Sequence, residues 1–292
     1  MKKIAILGCE NSHANSFIKY VKTCPEFADI EIVGVYSDES APCEKLAQEF
    51  GVKILSSYDE VVGQIDGLII TARHGDNHYK YAKPYIGSGI PMFIDKPITI
   101  SESEAVEFMK ELKNSGVAIT GGSSLKQDIF VKKLREDAIN QVDGKTIGGF
   151  VRAPIACQSA YGGYFFYAQH LVEMVCEIFG RYPNSVLAKS YGDKISINFN
   201  YDDYQVTGLN VEHAYTYYAL RSAQNGNCGG AVDIGEGDND WFYNEFSEFY
   251  RLLCGEEQKI TYEDFISPVF IMNAITRSIA SGKEEKITEY KL

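Results

Sequence analysis

The stretch Asp95-Lys96-Pro97 places a carboxylate, an ammonium group and a stiffened backbone directly after the apolar run Ile90-Pro-Met-Phe-Ile94. In an open α/β sheet, chemistry gathers where strands end at their carboxyl edge. A lysine set there, just ahead of a proline, is held at the mouth of the sheet and can face a small molecule. Standing alone, the tripeptide reads equally well as a solvated charge pair in a turn, so its weight depends on the elements around it.

A second candidate follows the first apolar run, at Gly8-Cys9-Glu10-Asn11-Ser12-His13. This is where a nucleotide-binding sheet carries G-x-G-x-x-G, whose glycines permit a tight turn and let backbone N–H groups approach a pyrophosphate. Gly8 fits that pattern; Glu10 replaces the second glycine and His13 the third. Glu10 would bring a carboxylate near phosphate unless it turns away, and His13 could offer a cation in place of a backbone contact. After the second apolar run, Val35-Tyr36-Ser37-Asp38 puts Ser37 where an acidic residue ordinarily bonds the adenosine ribose of NAD, with Asp38 next to it. Ser37 would admit a 2′-phosphate and Asp38 would oppose one, so NAD and NADP both stay open. His74 and His78, four apart, could join His13 and Glu10 as a divalent-metal set. Gly75 favours a loop between them, and the expectation is that they are polar residues of the cleft, with no metal.

These residues need a scaffold, and the first 120 residues supply its pattern. Apolar runs at Lys3–Leu7, Ile30–Tyr36, Gly67–Thr71, Met92–Ile94 and Val117–Thr120 read as buried strands. Helical patterns at Ser12–Thr23, Ala41–Phe50, Asn77–Ser88 and from the capping box Ser101-Glu-Ser-Glu104 to Asn114 separate them. Lys53–Leu55 reads as a short strand and Tyr58–Gly63 as a helical turn or two. Continuous apolar strands alternating with amphipathic helices imply a doubly wound, mostly parallel sheet covered on both faces. After about Gly121 the pattern changes. A helix is expected over Leu125–Asn140, strands over Ile147–Ala153, Ser185–Tyr191, Ile195–Tyr201 and Gln205–Val211, and helices at Phe165–Phe179, Asp240–Cys254 and Glu263–Ser281. The fold class is therefore α/β: a Rossmann-type domain over residues 1–120 and a second α+β domain, built on a largely antiparallel sheet, over residues 121–292. Gly226–Gly230 and Gly235–Asp240 read as surface turns.

Composition narrows the partners. The 292 residues carry a net charge of −12 with 45% apolar and 23% charged residues, which argues against nucleic acid or an anionic membrane surface. No apolar run is long enough to span a bilayer. Met1-Lys-Lys-Ile-Ala-Ile-Leu-Gly8 reads as a first strand, since a secretory signal needs a longer apolar region. Seven widely spaced cysteines without a C-x-x-C pair fit a reduced, cytoplasmic setting.

Taken in order, these segments resemble the Gfo/Idh/MocA family of NAD(P)-dependent sugar and inositol dehydrogenases. The resemblance runs through Ile4–His13, Asp66–Thr71 with His78, Gly89–Pro97, Gly162-Gly163 to His170, and Ile260–Gly282. It implies NAD or NADP as cofactor, and a cofactor cleft built from Gly8, Cys9, Glu10, Asn11, Ser12, His13, Ser37, Asp38, Thr71, Ala72, His74, His78 and Asp95. Lys96 matches the lysine that contacts the reacting hydroxyl, and His170 the histidine that exchanges its proton. Asp95 stands for a glutamate at the nicotinamide end. Moving a hydride off a C–OH carbon requires removal of the hydroxyl proton, which suits a histidine with pKa near neutrality. The implied substrate is a sugar, inositol or similar polyol, with Tyr164 and Tyr167 as further contacts, and the implied assembly is a homodimer or homotetramer. One position departs from the family: Phe166 replaces an aspartate one helical turn before His170, although Glu173 three residues after it is present. With the altered glycines, this keeps open a non-catalytic ligand-binding or regulatory role on the same scaffold, or a lyase or hydrolase using a retained NAD.

Overall fold

The computed structural model describes residues 1–233 and 237–292. The first layer is a five-stranded parallel sheet in the order β2-β1-β3-β4-β5, formed by β1 (Lys2–Leu7), β2 (Ile30–Tyr36), β3 (Gly67–Ile70), β4 (Met92–Asp95) and β5 (Ile119–Gly122). Residues of β3, β4 and β5 are buried throughout, which is why these strands are apolar or small apart from Thr120 and the terminal Asp95. The connecting helices are α1 (Ser12–Thr23), α2 (Ser40–Phe50), α3 (Asp76–Ala82) and α4 (Glu102–Asn114). Asn11 caps α1 by accepting from His13 N–H, and Ser101 caps α4 by accepting from Glu104 N–H. The doubly wound expectation holds. The strand order reverses between β1 and β3, so the loops after those two strands open a crevice at the carboxyl edge.

The second layer begins with α5 (Ile129–Ile139), β6 (Thr146–Ile155) and α6 (Phe165–Phe179), continues through β7 (Ser185–Tyr191), β8 (Lys194–Asn200), β9 (Gln205–Glu212), β10 (Tyr217–Ala223) and β11 (Gly226–Val232), and ends with α7 (Trp241–Leu253), α8 (Tyr262–Ser281) and β12 (Glu285–Lys286). Its seven-stranded sheet has the order β11-β10-β6-β9-β8-β7-β12, antiparallel except for the β6–β9 pair. One face packs on α6, a helix buried over nearly its whole length. The other carries Phe150, Leu209, Tyr218 and Leu220 half-buried, with Leu187 41% exposed. Pro268 lies inside α8 and leaves the Asp264 carbonyl without its helical N–H; Ser267 Oγ and Arg181 Nη1 donate to it instead, at 2.8 and 3.3 Å.

Several local expectations need correction. Gly226–Gly230 is not a turn but part of β11, paired antiparallel with β10. As an outer strand it buries little, so its small and polar residues carry no alternating apolar signal. Lys53–Leu55 makes only an isolated bridge from Ile54 to Val35, and Tyr58–Gly63 is a series of turns. The helix expected from Leu125 breaks at Asp128, whose carboxylate caps α5 through Phe130 and Val131 N–H and also accepts from Trp241 Nε1 at 3.0 Å. Of the segment read as Gly235–Asp240, Gly235 and Glu236 lie outside the described residues, and Gly237–Asn239 forms a 3-10 turn. The last helices also do more than close the second layer. The α7 helix packs on α1 and β5 of the parallel sheet, and α8 on α4 as well as on α6 and β7.

Candidate active site

Two glycines let the backbone close up where the site is built. Gly8 has φ +84°, and a Cβ there would stand 2.3 Å from the Ala72 nitrogen; Thr71 Oγ1 donates to its carbonyl at 2.5 Å. Gly121 has φ +124°, and a Cβ there would meet the Ile94 carbonyl oxygen at 2.0 Å. The first lets the loop after β1 sit tightly against the end of β3, and the second lets β5 lie against β4, which delivers Lys96. Glu10, by contrast, is not among the residues with positive φ, so a side chain at the second glycine position strains nothing.

Lys96 leaves β4 through a cis Lys96–Pro97 peptide bond and is 7% exposed. Its Nζ donates to the Phe166 carbonyl at 3.2 Å and lies over the Phe166 and Tyr167 rings, 4.6 and 5.2 Å from their centroids. His170, on α6, is 6% exposed, and its Nδ1 lies 2.7 Å from Ser123 Oγ. That hydroxyl oxygen also accepts from Leu125 N–H at 3.3 Å. With Nδ1 engaged, Nε2 is the nitrogen left for the cavity. Burial holds the His170 pKa well below the usual histidine value, and the charges of Lys96 and His13 add to the effect. Burial also lowers the Lys96 pKa, partly offset by Asp95. Both residues border a cavity of about 410 Å³ that Asn11, Arg73, Tyr167 and Trp241 also line. A larger hollow of about 1010 Å³ lies elsewhere, beside Lys132, Arg135 and Arg251, and neither Lys96, His170 nor the Gly8–His13 loop borders it.

The α6 helix is registered against the Lys96 loop by a buried relay. Ile98 N–H donates to Gln169 Oε1 at 3.2 Å, Gln169 Nε2 donates to Glu173 Oε2 at 3.2 Å, and Glu173 pairs with Arg181 at 3.0 Å. Glu173 is therefore a partner of Arg181 and of Gln169, and does not border the cavity.

Asp95 is fully buried. Its Oδ2 accepts from Asn11 Nδ2 at 2.6 Å and its Oδ1 from Lys96 N–H at 2.7 Å. His13 Nδ1 lies 3.3 Å from Asp95 Oδ2, and His13 Nε2 lies 3.2 Å from Glu245 Oε2, brought in by α7. These are ion-pair distances without hydrogen-bond alignment. Burial opposes a charge on His13, but Asp95 and Glu245 outweigh it and raise its pKa. Burial raises the Glu245 pKa too, with His13 opposing. His13 thus forms a buried charge cluster between two carboxylates, with its ring 4.4 Å from that of Phe242, and it also borders the cavity.

The other expected residues fall into three groups. Asn11, Ser12 and Tyr167 line the cavity. Gly8, Cys9, Thr71, Ala72 and His78 do not border it; they pack behind it around the ends of β1 and β3. Cys9 is buried with Sγ 3.3 Å from the Tyr36 carbonyl, and the His78 ring nitrogens lie 2.8 and 3.2 Å from the Ala72 and Ile98 carbonyls. Glu10, Ser37, Asp38 and His74 also do not border the cavity; His74 Nδ1 accepts from Asp76 N–H at 3.3 Å. Tyr164 is displaced from its expected place: its hydroxyl is buried without a partner and does not line the cavity, where Tyr215 and Tyr217 stand instead. No group of three or more His, Cys, Asp or Glu is placed to hold a metal ion among the described residues. Sequence reasoning missed Arg73, Ser123, Gln169, Trp241 and Glu245. Only Arg73, beside the strand end at Thr71, carried a usable signal.

A parallel sheet with its crevice at the strand-order reversal, beside a second, mostly antiparallel sheet whose packed helix α6 brings a histidine to the cavity, has the architecture of a Rossmann-type nucleotide-binding fold. Residues 2–123 match the profile of the Gfo/Idh/MocA family, described as "Oxidoreductase family, NAD-binding Rossmann fold". The resemblance read from the sequence is thereby borne out, as is a nicotinamide dinucleotide as the cofactor of that family. The chain is 27% identical over 150 residues to glucose-6-phosphate 3-dehydrogenase of Bacillus subtilis, a match over 50% of this chain and 41% of that protein. Over 205 residues it is 23% identical to an oxidoreductase of Formosa agariphila, covering 61% of each. The chain thus spans less than two thirds of the length of these curated relatives. Its fold is that of myo-inositol 2-dehydrogenase from Lactobacillus plantarum (17% identity, TM-score 0.85, 98% of this chain and 99% of that one). It also matches scyllo-inositol dehydrogenase from Lactobacillus casei, solved with NAD(H) and scyllo-inositol (14% identity, TM-score 0.84, 99% and 100%).

Proposed function

We propose that this protein is a nicotinamide-dinucleotide-dependent oxidoreductase that acts on a secondary hydroxyl of a sugar, inositol or similar polyol. The observation that carries the reading is the convergence of Lys96 and His170, from opposite halves of the chain, on one cavity at the carboxyl edge of β4. The crevice fits the dinucleotide at Gly8, where the positive φ and the close approach to Ala72 leave room for backbone and not for a side chain. The residues that would hold it are Gly8 to Ser12, Ser37 and the Ala72–Arg73 turn, and when bound it supplies the hydride acceptor. Lys96 Nζ, fixed by the Phe166 carbonyl, polarises the substrate oxygen and stabilises the negative charge that grows on it. His170 Nε2 takes the hydroxyl proton, and its depressed pKa keeps it in the neutral, accepting form at physiological pH. Tyr167, Tyr215 and Tyr217 offer aromatic faces to the ring of a polyol.

Phe166 in place of an aspartate does not leave Lys96 unheld, since its main chain supplies the acceptor, so no observation favours the non-catalytic alternative. Lys96→Met and His170→Ala should each abolish dinucleotide reduction by inositols while saturable NADH fluorescence binding persists; undiminished turnover in either variant would sink the assignment. The half-buried apolar face of the seven-stranded sheet supports a homodimer or homotetramer, which light scattering would read as at least twice the 32.6 kDa chain mass. No helix among the described residues is long and apolar enough to cross a membrane. A cytoplasmic location remains part of this reading, supported by the seven free cysteines.

A further inference from the structure

We infer that Glu10 is the carboxylate that selects NAD(H) against NADP(H), in place of an acidic residue at the end of β2. The inference rests on the reading proposed above and concerns the adenosine end of the same crevice. In nucleotide-binding sheets of this kind the acid after the second strand bonds the ribose 2′-hydroxyl and repels a 2′-phosphate. Here none of the three residues after Tyr36 offers a free carboxylate inward. Ser37 is a hydroxyl, and its oxygen accepts from Glu39 N–H at 3.1 Å. Asp38 is 43% exposed at its side chain; it accepts from Tyr36 Oη at 2.7 Å and pairs with Lys80 at 3.0 Å. Glu39 is exposed and accepts from Tyr161 Oη at 3.1 Å, from the loop before α6.

Glu10 reaches this place from the other side. It follows Gly8 by two residues, and its carboxylate lies beside the Ser37 hydroxyl and within the fields of Glu39 and Arg73. Its Oε2 is shut off from solvent and has no aligned hydrogen-bond donor, the Ser37 hydroxyl being the side-chain donor beside the carboxylate. A buried carboxylate oxygen without an aligned donor is unfavourable, and a ribose 2′-hydroxyl is a donor of the right reach and polarity. A 2′-phosphate brings acceptors and roughly two negative charges to the same spot, against Glu10 and Glu39 together. Arg73, the cation beside Glu10, is held over the Tyr161 ring, 5.1 Å from its centroid, with Nη1 3.4 Å from the Tyr161 hydroxyl. Substitution of Glu10 would leave Arg73 as the charge nearest the 2′ position and so favour the phosphate.

The test is fluorescence titration of the whole protein with NADH and NADPH, for wild type, Glu10→Gln and Asp38→Asn. Wild type should bind NADH about 100-fold or more tighter than NADPH, as expected for a like-charge contact. Glu10→Gln should cut that ratio at least about tenfold, chiefly by gain of NADPH affinity, and Asp38→Asn should leave it in place. A wild-type preference for NADPH, a ratio unmoved by Glu10→Gln, or a ratio moved by Asp38→Asn instead would overturn the assignment of Glu10 alone. Failure of wild type to bind either dinucleotide would overturn the proposed function with it. Glu10→Ser, with its thermal midpoint measured, guards against a folding defect peculiar to the glutamine variant.

Discussion

Replacing His13 by leucine should strand Glu245 without its partner, and the size of the effect follows from where that carboxylate sits. Glu245 is 1% exposed, and neither of its oxygens has an aligned donor even with His13 3.2 Å away. A carboxylate left in such a place escapes by taking up a proton, so the penalty cannot exceed the free energy of protonating it. For an ordinary carboxyl pKa of about 4.3 that ceiling is about 3.7 kcal/mol at pH 7 and about 1 kcal/mol at pH 5. A carboxyl whose pKa is raised by folding is destabilising above its unfolded pKa and neutral below it, so the loss grows with pH. His13 itself titrates with the opposite sense. Its raised pKa contributes stability that is complete below about 6.5 and disappears as pH rises through the folded value, so wild type is the wrong reference. The clean comparison is His13→Leu with His13→Leu/Glu245→Gln, where the imidazole is absent from both. Urea unfolding followed at the single tryptophan, buried Trp241, gives the stability gap between them. The double variant should be the more stable at pH 7, and the gap should narrow by up to about 2.7 kcal/mol at pH 5; the buried amide adds only a constant. A gap that is the same at both pH values would refute the argument that Glu245 is a charge stabilised by His13.

Two further outcomes follow from the same geometry. His170 should remain neutral below the ordinary histidine midpoint of about 6.5, because its pKa is depressed by burial and by Lys96 and His13. Proton NMR titration, with the resonance assigned by its loss in His170→Ala, checks this, and a midpoint at or above 6.5 would contradict the burial argument. The acid limb of any turnover it supports should lie at that same low pH. Gly8→Ala should lose at least about 2 kcal/mol in urea unfolding, since it combines a left-handed backbone with a Cβ 2.3 Å from the Ala72 nitrogen. A loss below 0.5 kcal/mol would show that the Gly8–Ala72 approach is not obligatory.

Much of the scaffold was legible because its signals are local. The helix Ser12–Thr23 begins at the expected residue because Asn11 caps it, and α4 starts after Ser101 for the same reason. Strand β3 and the Met92–Ile94 part of β4 are unbroken apolar runs because both their faces are covered. The segments Phe165–Phe179 and Ser185–Tyr191 also coincide with the elements expected there. Where burial is slight the pattern fails: β10 and β11 lie toward one edge of their sheet, and β11 exposes alternate residues without an apolar face to mark them.

Within the site, strand ends were sufficient to single out Lys96 and the Gly8–His13 loop, because a strand end places its own residues, whereas His170 was indicated by the family resemblance. The partners of those residues come from far along the chain. Glu245 meets His13 because α7 returns across α1, and Ser123 meets His170 because α6 packs on the Ser124–Gln127 turn that follows β5. Gln169 reaches the Ile98 amide because the two layers close on each other. A local pattern encodes which face of an element is apolar and where it starts. It does not encode which distant polar group will share a buried position, since that is set by the packing of all the elements at once. The chemistry of the residues was therefore written in the chain itself, while the charge states of His13 and His170 and the direction of Glu10 belong to the packed molecule.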